Sequence, residues 1–163
     1  MSEKIAIISD THSRHALVEK AVKQIEAFGP ELVLHCGDID DAETIWLFPP
    51  NTHFVWGNCD SVERVAMQQA IHGIGATLHE YLGTLEVGGQ RLAFLHGDDT
   101  DALEDLEYSG EFDFIFHGHS HVLSERNHGK TRIINPGAIH RVARRTFAIL
   151  ELASGEVKWV TVE

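Results

Sequence analysis

Six short motifs along the chain carry residues that can bind metal ions. Each lies at the end of an apolar run, and together they supply carboxylates, imidazoles and an asparagine amide. They are Asp10-Thr11-His12, Gly37-Asp38, Gly57-Asn58-Cys59-Asp60, His96-Gly97-Asp98, Gly118-His119-Ser120-His121 and Asn135-Pro136-Gly137. Oxygen ligands suit hard divalent cations, whereas imidazole suits the borderline metals. The mixture predicts a site for divalent cations rather than a structural zinc finger.

The order of the motifs is more informative than any one of them. A single Asp or His after a strand commonly caps a helix, forms a turn or is hydrogen-bonded in the core. For Asp10 and Asn58, which precede helical patterns, helix capping is an alternative to metal binding. Strand ends held by a sheet, however, bring distant side chains to one point. The series of motifs therefore predicts one common site.

The first half of the chain alternates strands and helices. Buried-strand patterns lie at 5–8, 32–34 and 53–56, and helical patterns lie at 13–28 and 42–48. Pro30 and Pro49 follow the helical patterns and end them. Strands separated by helices pair in parallel through right-handed crossovers. We therefore expect a parallel sheet here.

The second half is rich in predicted hairpins. A short helix at 101–107 and a buried strand at 112–116 interrupt three strand pairs, at 82–87 with 90–95, 122–126 with 131–134, and 146–152 with 156–162. Turn residues such as Gly88-Gly89 connect each pair. Together the halves predict an α/β fold of two mixed β-sheets packed face to face with helices outside, in a single domain at 1–163.

Composition limits the classes of partner. The chain has 13 basic and 25 acidic residues, a net charge of −12, which argues against stable nucleic-acid binding. Six of the basic residues fall within 126–145, either as solvated strand faces or as an anion-attracting rim. No apolar run approaches the length of a membrane span, and the N-terminus lacks a signal-peptide pattern. We expect a cytoplasmic protein.

The motifs in combination resemble those of the calcineurin-like metallophosphoesterase superfamily. The pattern Asp-x-His, Gly-Asp, Gly-Asn-x-Asp, His and Gly-His-x-His is most similar to its small cap-less branch of bacterial and archaeal phosphodiesterases. The resemblance runs from Asp10 to Gly137. It implies a four-layer αββα sandwich and a metal-dependent phosphoesterase. The substrate it implies is a small-molecule phosphodiester.

The resemblance also implies a set of metal ligands. One divalent cation would be bound by Asp10, His12, Asp38 and His121, and the second by Asp38, Asn58, His96 and His119. Asp38 would bridge the two ions. His119 and His121 are two positions apart, so in an extended segment their side chains would point the same way. Mn²⁺ is the first expectation for both ions, and Ni²⁺, Fe²⁺ and Zn²⁺ also suit these ligands.

The reaction expected from such a centre is hydrolysis of a phosphate ester by in-line attack of a hydroxide that bridges the two metals. Asp38, Asn58 and His96 are the residues placed in that catalytic centre. Where many relatives have histidine after Gly-Asn, this chain has Cys59, and a thiol is a weak hydrogen-bond donor. Weak protonation of the leaving group favours diesters with activated leaving groups over simple monoesters.

Several residues near the motifs have open roles. We expect His35 to orient a ligand or to contact phosphate, and His117 to be packed or hydrogen-bonded. His140 is a candidate for substrate contact, and so are Arg141 and Arg144. A separate question is oligomeric state, because the apolar residues Trp46, Phe48 and Trp159 are candidates for a homodimer surface.

The main alternative function is a non-catalytic protein-binding scaffold. The small scaffold subunit of the retromer resembles this same fold, with ligand positions that have changed. All seven expected ligands are present in this chain, which favours catalysis.

Overall fold

The computed structural model describes residues 3–163. The helices in this range are α1 (His15–Phe28), α2 (Ala42–Ile45), α3 (Arg64–Gly73) and α4 (Thr100–Ser109). The strands are β1 (Lys4–Ile8), β2 (Leu32–His35), β3 (Thr52–Phe54), β4 (Thr77–Leu78), β5 (Leu82–Val87), β6 (Gln90–Leu95), β7 (Phe114–Phe116), β8 (Ser124–His128), β9 (Thr131–Asn135), β10 (Thr146–Glu151) and β11 (Glu156–Thr161). None of the described helices is long and apolar enough to cross a bilayer.

The first sheet has six strands in the order β11-β10-β1-β2-β3-β4. Strands β1 to β4 pair in parallel, as the alternation of strands and helices predicts, and β10 lies antiparallel to β1. The apolar run of β1 is buried from Ile5 to Ile8, which is typical of a strand covered on both faces. The two-residue edge strand β4 was not predicted.

The second sheet has five strands in the order β5-β6-β7-β9-β8. Its centre is parallel, from β6 through β7 to β9, and the hairpins β5–β6 and β8–β9 supply its edges. The first hairpin turns at Gly88 and Gly89, whose φ angles of 57° and 76° suit the positive-φ turns that such two-residue connections need. Both sheets are therefore mixed, as predicted.

Three apolar clusters define four layers. Helices α1 and α3 bury residues such as Val22 and Met67 against one face of the first sheet. The two sheets enclose a second cluster that includes Leu34 and Phe94. Helix α4 covers the other face of the second sheet through Leu103. This order of layers confirms the predicted αββα sandwich.

Three local expectations were wrong. Helix α2 ends at Ile45 rather than at 48, because the chain turns at 46–48 before it reaches Pro49. Helix α1 begins at His15 rather than at 13 because Ser13 has a φ of 55°, outside the helical range. Phe48 is only 4% exposed and belongs to the core, so it is not a candidate for a dimer surface. Trp46 is 58% exposed, whereas Trp159 is half-buried and its indole N–H donates to the Asn135 carbonyl at 3.0 Å.

Candidate metal centre

The motifs converge because neighbouring strands end at one edge of the sandwich. Asp10 and Asp38 follow β1 and β2 of the first sheet, and His96 follows β6 of the second. His119 and His121 lie in the loop after β7, the parallel neighbour of β6. The carboxyl ends of parallel strands meet at one edge, so both sheets deliver side chains to the same place.

The backbone at five of the seven predicted ligands is left-handed. The φ angles are 55° at Asp10, 41° at His12, 59° at Asp38, 69° at His119 and 62° at His121. Such angles are uncommon for residues other than glycine and cluster at functional sites. The expectation that the last two lie in an extended segment was therefore wrong. Their imidazoles reach the site through tight bends.

The first group of atoms that could bind a metal ion comes from Asp10, His12 and His121. Asp10 Oδ1 lies 3.1 Å from His121 Nε2 and 3.7 Å from His12 Nε2. The other oxygen, Oδ2, accepts hydrogen bonds from Ser9 Oγ at 2.7 Å and from the His119 N–H at 3.0 Å. Asp10 Oδ1 and His12 Nε2 are buried yet make no hydrogen bond. Because unpaired buried polar atoms are costly, these two fit a cation between them.

The second group comes from Asp38, His96 and His119. Asp38 Oδ2 lies 3.2 Å from His96 Nε2 and 3.4 Å from His12 Nε2, which belongs to the first group. His119 Nδ1 lies 3.3 Å from His96 Nε2. Asp38 therefore stands between the two groups, where a bridging carboxylate would have to be.

Hydrogen bonds on the far side of two rings fix how they face the site. His96 Nδ1 lies 2.7 Å from the Cys36 carbonyl oxygen, and His12 Nδ1 lies 3.1 Å from Asp40 Oδ2. When one ring N–H donates to an oxygen, the other ring nitrogen keeps its lone pair free to coordinate a metal ion. In both residues that other nitrogen, Nε2, is the one that faces Asp38.

Asp60 has a positioning role that the sequence did not reveal. Its fully buried carboxylate accepts hydrogen bonds from the backbone N–H groups of Asp38, Ile39, Asp40 and Gly57, at 2.7–2.9 Å. It thus fastens the loop after β2 to the loop after β3. In the sequence, Asp60 stands out only as the last residue of the Gly57–Asp60 motif. Its role depends on contacts with backbone N–H groups, and such contacts leave no pattern of residue types in the sequence.

Gly57 is needed because these two loops touch. A Cβ atom at this position would collide with the backbone nitrogen and the carboxylate of Asp38. The close approach also allows the Cys59 N–H to donate to Asp38 Oδ1 at 2.9 Å. The motif glycine therefore serves to keep the Asp38 carboxylate in place.

Charge pairing shapes the protonation of the centre. Burial disfavours the charged form of His96, but its hydrogen bond with Asp38 and the negative charges of Asp10 and Asp38 outweigh burial and raise its pKa to about 9. Burial likewise opposes ionisation of Asp38, yet the contact with His96 lowers its pKa to about 2. An imidazolium proton that is paired with a carboxylate in this way can be displaced by a metal ion, which then lies between the imidazole and the carboxylate.

His35 lies behind the ligands. Its ring is fully buried, with Nε2 3.1 Å from Thr11 Oγ1 and with Nδ1 accepting from the Gly37 N–H at 3.1 Å. Burial lowers its pKa to about 3, so the ring is neutral. Of the two expected roles, phosphate contact is incompatible with full burial. The ring instead connects the loops that carry Asp10 and Asp38.

His117 is hydrogen-bonded, as expected. Its Nδ1 lies 3.1 Å from the Gly118 carbonyl oxygen. Burial of the ring lowers its pKa below the ordinary value.

Asn58 and Cys59 lie at the exposed mouth of the centre. The Asn58 amide nitrogen lies 3.7 Å from Cys59 Sγ. Cys59 Sγ clusters with ligand atoms of His12 and Asp38. Burial and the nearby negative charge of Asp38 raise the pKa of the Cys59 thiol to about 11. The residue is therefore a neutral thiol at this mouth.

His140 lies at the rim of the first ligand group. Its ring centroid is 4.6 Å from that of His12, and its Nδ1 accepts a hydrogen bond from Arg14 Nε at 3.0 Å. Arg14 was not among the predicted site residues. Arg144 donates instead to Thr161 Oγ1 at 2.9 Å, at the end of β11. Arg141 has a left-handed φ of 51° and is exposed.

Similarity to known proteins extends over nearly the whole chain. The calcineurin-like phosphoesterase superfamily domain matches residues 4–155. Phosphodiesterase MJ0936 from Methanocaldococcus jannaschii is 26% identical, over 98% of this chain and 99% of its own length. A solved archaeal phosphodiesterase superimposes with a TM-score of 0.89 at 25% identity, over 97% of this chain and 99% of that one.

A second solved structure shares the fold alone. Vacuolar Protein Sorting 29 from Cryptosporidium parvum superimposes with a TM-score of 0.67 at 16% identity, over 98% of this chain and 96% of that one. The family match over nearly the whole sequence confirms the resemblance drawn from the motifs. The chain belongs to the calcineurin-like phosphoesterase superfamily.

Proposed function

We propose that this protein is a metal-dependent phosphodiesterase that hydrolyses small phosphodiesters. The observation that carries the proposal is the position of Asp38 Oδ2, between His12 Nε2 at 3.4 Å and His96 Nε2 at 3.2 Å. A carboxylate shared by two groups of ligand atoms suits a pair of cations about 3.5–4 Å apart. Two relatives that are described as phosphodiesterases support a phosphodiester as the class of substrate.

The proposed ligands are divided between two divalent cations. Asp10, His12, Asp38 and His121 would bind one, and Asp38, Asn58, His96 and His119 would bind the other. We propose Mn²⁺ as the metal, because a mixture of oxygen and imidazole ligands suits it, and Ni²⁺, Fe²⁺ or Zn²⁺ would also fit. When bound, the cations supply Lewis-acid stabilisation of the phosphoryl oxygens and an activated water for in-line attack.

The residues of the chain hold this centre in shape. His96 and His12 keep their Nε2 atoms directed inward, because Cys36 and Asp40 hold the opposite ring nitrogens. Asp60 fixes the backbone of Asp38 and Gly57 and so sets the distance between the two loops. Preorganised ligands cost little reorganisation when charge develops on the substrate.

The neutral thiol at position 59 supports the preference for diesters. Cys59 lies at the exposed mouth, where an imidazole would be able to protonate a leaving group. A thiol donates weakly, so substrates with activated aryl or nucleotide leaving groups are favoured over simple alkyl monoesters. The expected substrate is a small molecule, and the cytoplasmic location stays a prediction.

The decisive experiment combines metal stoichiometry with turnover. The protein is stripped of metal, reloaded with Mn²⁺, and measured for bound ions and for hydrolysis of bis(p-nitrophenyl) phosphate and p-nitrophenyl phosphate. We expect about two ions per chain and faster diester hydrolysis. Asp38→Asn should lose at least about 100-fold in kcat/KM, whereas the exposed carboxylate change Asp101→Asn should have no effect. A faster monoesterase rate would overturn the ranking of substrates.

The scaffold alternative gives a different result in the same experiment. The structural likeness to Vacuolar Protein Sorting 29 concerns the fold and is the observation that keeps this alternative in view. A scaffold would bind Mn²⁺ tightly and hydrolyse none of a panel of diesters. That outcome would replace the hydrolase proposal.

A further inference from the structure

A cavity of about 550 Å³ adjoins His96 at the edge of the candidate metal centre. Its apolar lining consists of Trp56, Tyr81, Leu82, Leu95, Ala102 and Leu106. The volume is in the range of pockets that bind small organic ligands, about 300–1,000 Å³. His96 is the only proposed metal ligand that lines it. The cavity therefore continues from the metal centre without being part of it.

Tyr81 forms a preorganised aromatic wall. The ring is 59% exposed, and its hydroxyl accepts a hydrogen bond from Arg64 Nη1 at 2.7 Å. The Arg64 guanidinium lies 5.5 Å from the Tyr81 ring centroid and 4.9 Å from that of Trp56. Arg64 Nε also donates to the Asp60 carbonyl at 3.1 Å. A wall fixed in this way loses little side-chain freedom when a ligand binds.

Leu82 extends this wall towards solvent. It is 43% exposed and follows Tyr81 directly at the start of β5. Adjacent exposed apolar side chains that line a cavity mark a binding surface more often than scattered ones do. The two residues together offer apolar area that a bound ligand would cover.

The charges on the cavity restrict what can bind. Three exposed carboxylates line it, from Asp98, Asp99 and Asp105. Asp99 also caps α4 by accepting from the Ala102 N–H at 3.0 Å, which holds its charge in place. Arg64, a cation behind the cavity wall, is engaged by Tyr81 and Trp56. A second anionic group in this cavity would meet like charges.

We propose that the cavity binds one ester substituent of the phosphodiester, and that this substituent is uncharged and aromatic, such as an aryl group or a nucleobase. The inference rests on the proposed function, because it requires the phosphate to lie at the metal centre beside His96. The apolar wall attracts such a group, and Asp98, Asp99 and Asp105 exclude a substituent that carries a second phosphate or carboxylate.

Binding of phosphonates tests the cavity without relying on turnover. Phosphonates carry a single substituent, so calorimetry on the Mn²⁺-loaded protein can compare phenylphosphonate, methylphosphonate and 4-carboxyphenylphosphonate directly. We expect phenylphosphonate to bind about ten-fold more tightly than methylphosphonate. The carboxyphenyl compound should bind more weakly than phenylphosphonate. Methylphosphonate affinity and diester turnover report on the metal centre, whereas the phenyl-to-methyl ratio reports on the cavity.

Variants assign the effect to residues. Tyr81→Ala should weaken phenylphosphonate binding about five-fold to ten-fold and change methylphosphonate binding less than two-fold. Leu82→Ala should act in the same direction with a smaller effect. Tyr108→Ala is the matched control, because Tyr108 is 66% exposed on α4 and does not line the cavity.

A charge variant tests the exclusion of anions. Asp105→Asn should improve binding of 4-carboxyphenylphosphonate about three-fold or more by removing a like charge. Glu104→Gln is the control, since Glu104 is the neighbouring exposed carboxylate and lies outside the cavity. A phenyl-to-methyl ratio near one, or a ratio insensitive to Tyr81→Ala, would overturn the proposal. So would a dimer in light scattering that Tyr81→Ala dissociates, because a second copy would then cover the cavity.

Discussion

The Asp60 carboxylate and the Asp38 backbone N–H are joined by a hydrogen bond of 2.9 Å. The same carboxylate accepts three more backbone N–H groups, so one buried side chain fixes the geometry around Asp38. Because Asp38 stands between both groups of ligand atoms, Asp60 influences the centre without facing it. A residue that orients ligands in this way can affect metal affinity as much as a ligand does.

Asp60→Asn should therefore weaken Mn²⁺ binding about 10-fold to 100-fold. The amide nitrogen of asparagine would face backbone donors and leave some of them unpaired, which costs about 1–3 kcal/mol of unfolding free energy. Mn²⁺ titration and urea unfolding of the metal-free protein measure the two effects. Asp101→Asn controls for loss of charge alone. Unchanged affinity and stability would show that Asp60 has no positioning role.

His121→Ala tests how the ligands are divided. His121 Nε2 approaches Asp10 Oδ1, at 3.1 Å, and belongs to one ligand group only. We expect the number of tightly bound Mn²⁺ ions to fall from two to one. Elemental analysis after gel filtration measures this number, with His128→Ala as the control outside the centre. Retention of two ions would contradict the proposed division.

Cys59→His tests the absence of a proton donor at the mouth of the centre. An imidazole there should raise monoester turnover relative to diester turnover by about ten-fold or more, since a positioned acid contributes about 10²–10⁴-fold. The ratio of kcat/KM for glycerol 2-phosphate, a monoester with an alkyl leaving group, to that for bis(p-nitrophenyl) phosphate measures it, because p-nitrophenolate leaves without protonation. Cys59→Ser removes the thiol without adding an imidazole and should leave the ratio unchanged. A similar rise in both variants would contradict the explanation.

His35→Phe tests a neutral buried histidine that joins two loops. Phenylalanine would pack beside Phe48 and Phe54, as the His35 ring does, but would leave the Gly37 N–H unpaired. We expect a loss of about 1–3 kcal/mol in unfolding free energy at pH 7. Urea unfolding of both proteins measures it. Equal stability would show that these hydrogen bonds contribute nothing.

The pH dependence of that difference has a definite sign. Burial lowers the pKa of His35 from 6.5 to about 3 in the folded protein, so the unfolded chain binds the proton first. The stability that the neutral ring contributes is complete above pH 6.5 and is lost as the pH falls towards 3. The loss is at most about 1.4 kcal/mol per pH unit. Between pH 7 and 5 the wild type should therefore lose more stability than His35→Phe. A wider gap at pH 5 would contradict this.

The sequence by itself determined the fold class, and it predicted the types and the order of the candidate metal ligands. Asp10, Asp38 and His96 were recognisable because each follows an apolar strand, and strand ends at one sheet edge must lie together. The alternation of strands and helices, followed by hairpins, was enough to predict two mixed sheets with helices outside, and the family resemblance implied the four layers. These features depend on local periodicity and residue chemistry, which the sequence shows directly.

Only the tertiary structure decided which groups touch. The bonds from Asp60 to the backbone of Asp38, the contact of Arg14 with His140 and the burial of Phe48 all join residues distant in the sequence. The left-handed turns at His119 and His121 belong here too, because the bends that aim their rings are imposed by the loops around them. Backbone amides and cavity walls carry no sequence pattern, so their roles emerge only when the two sheets pack together.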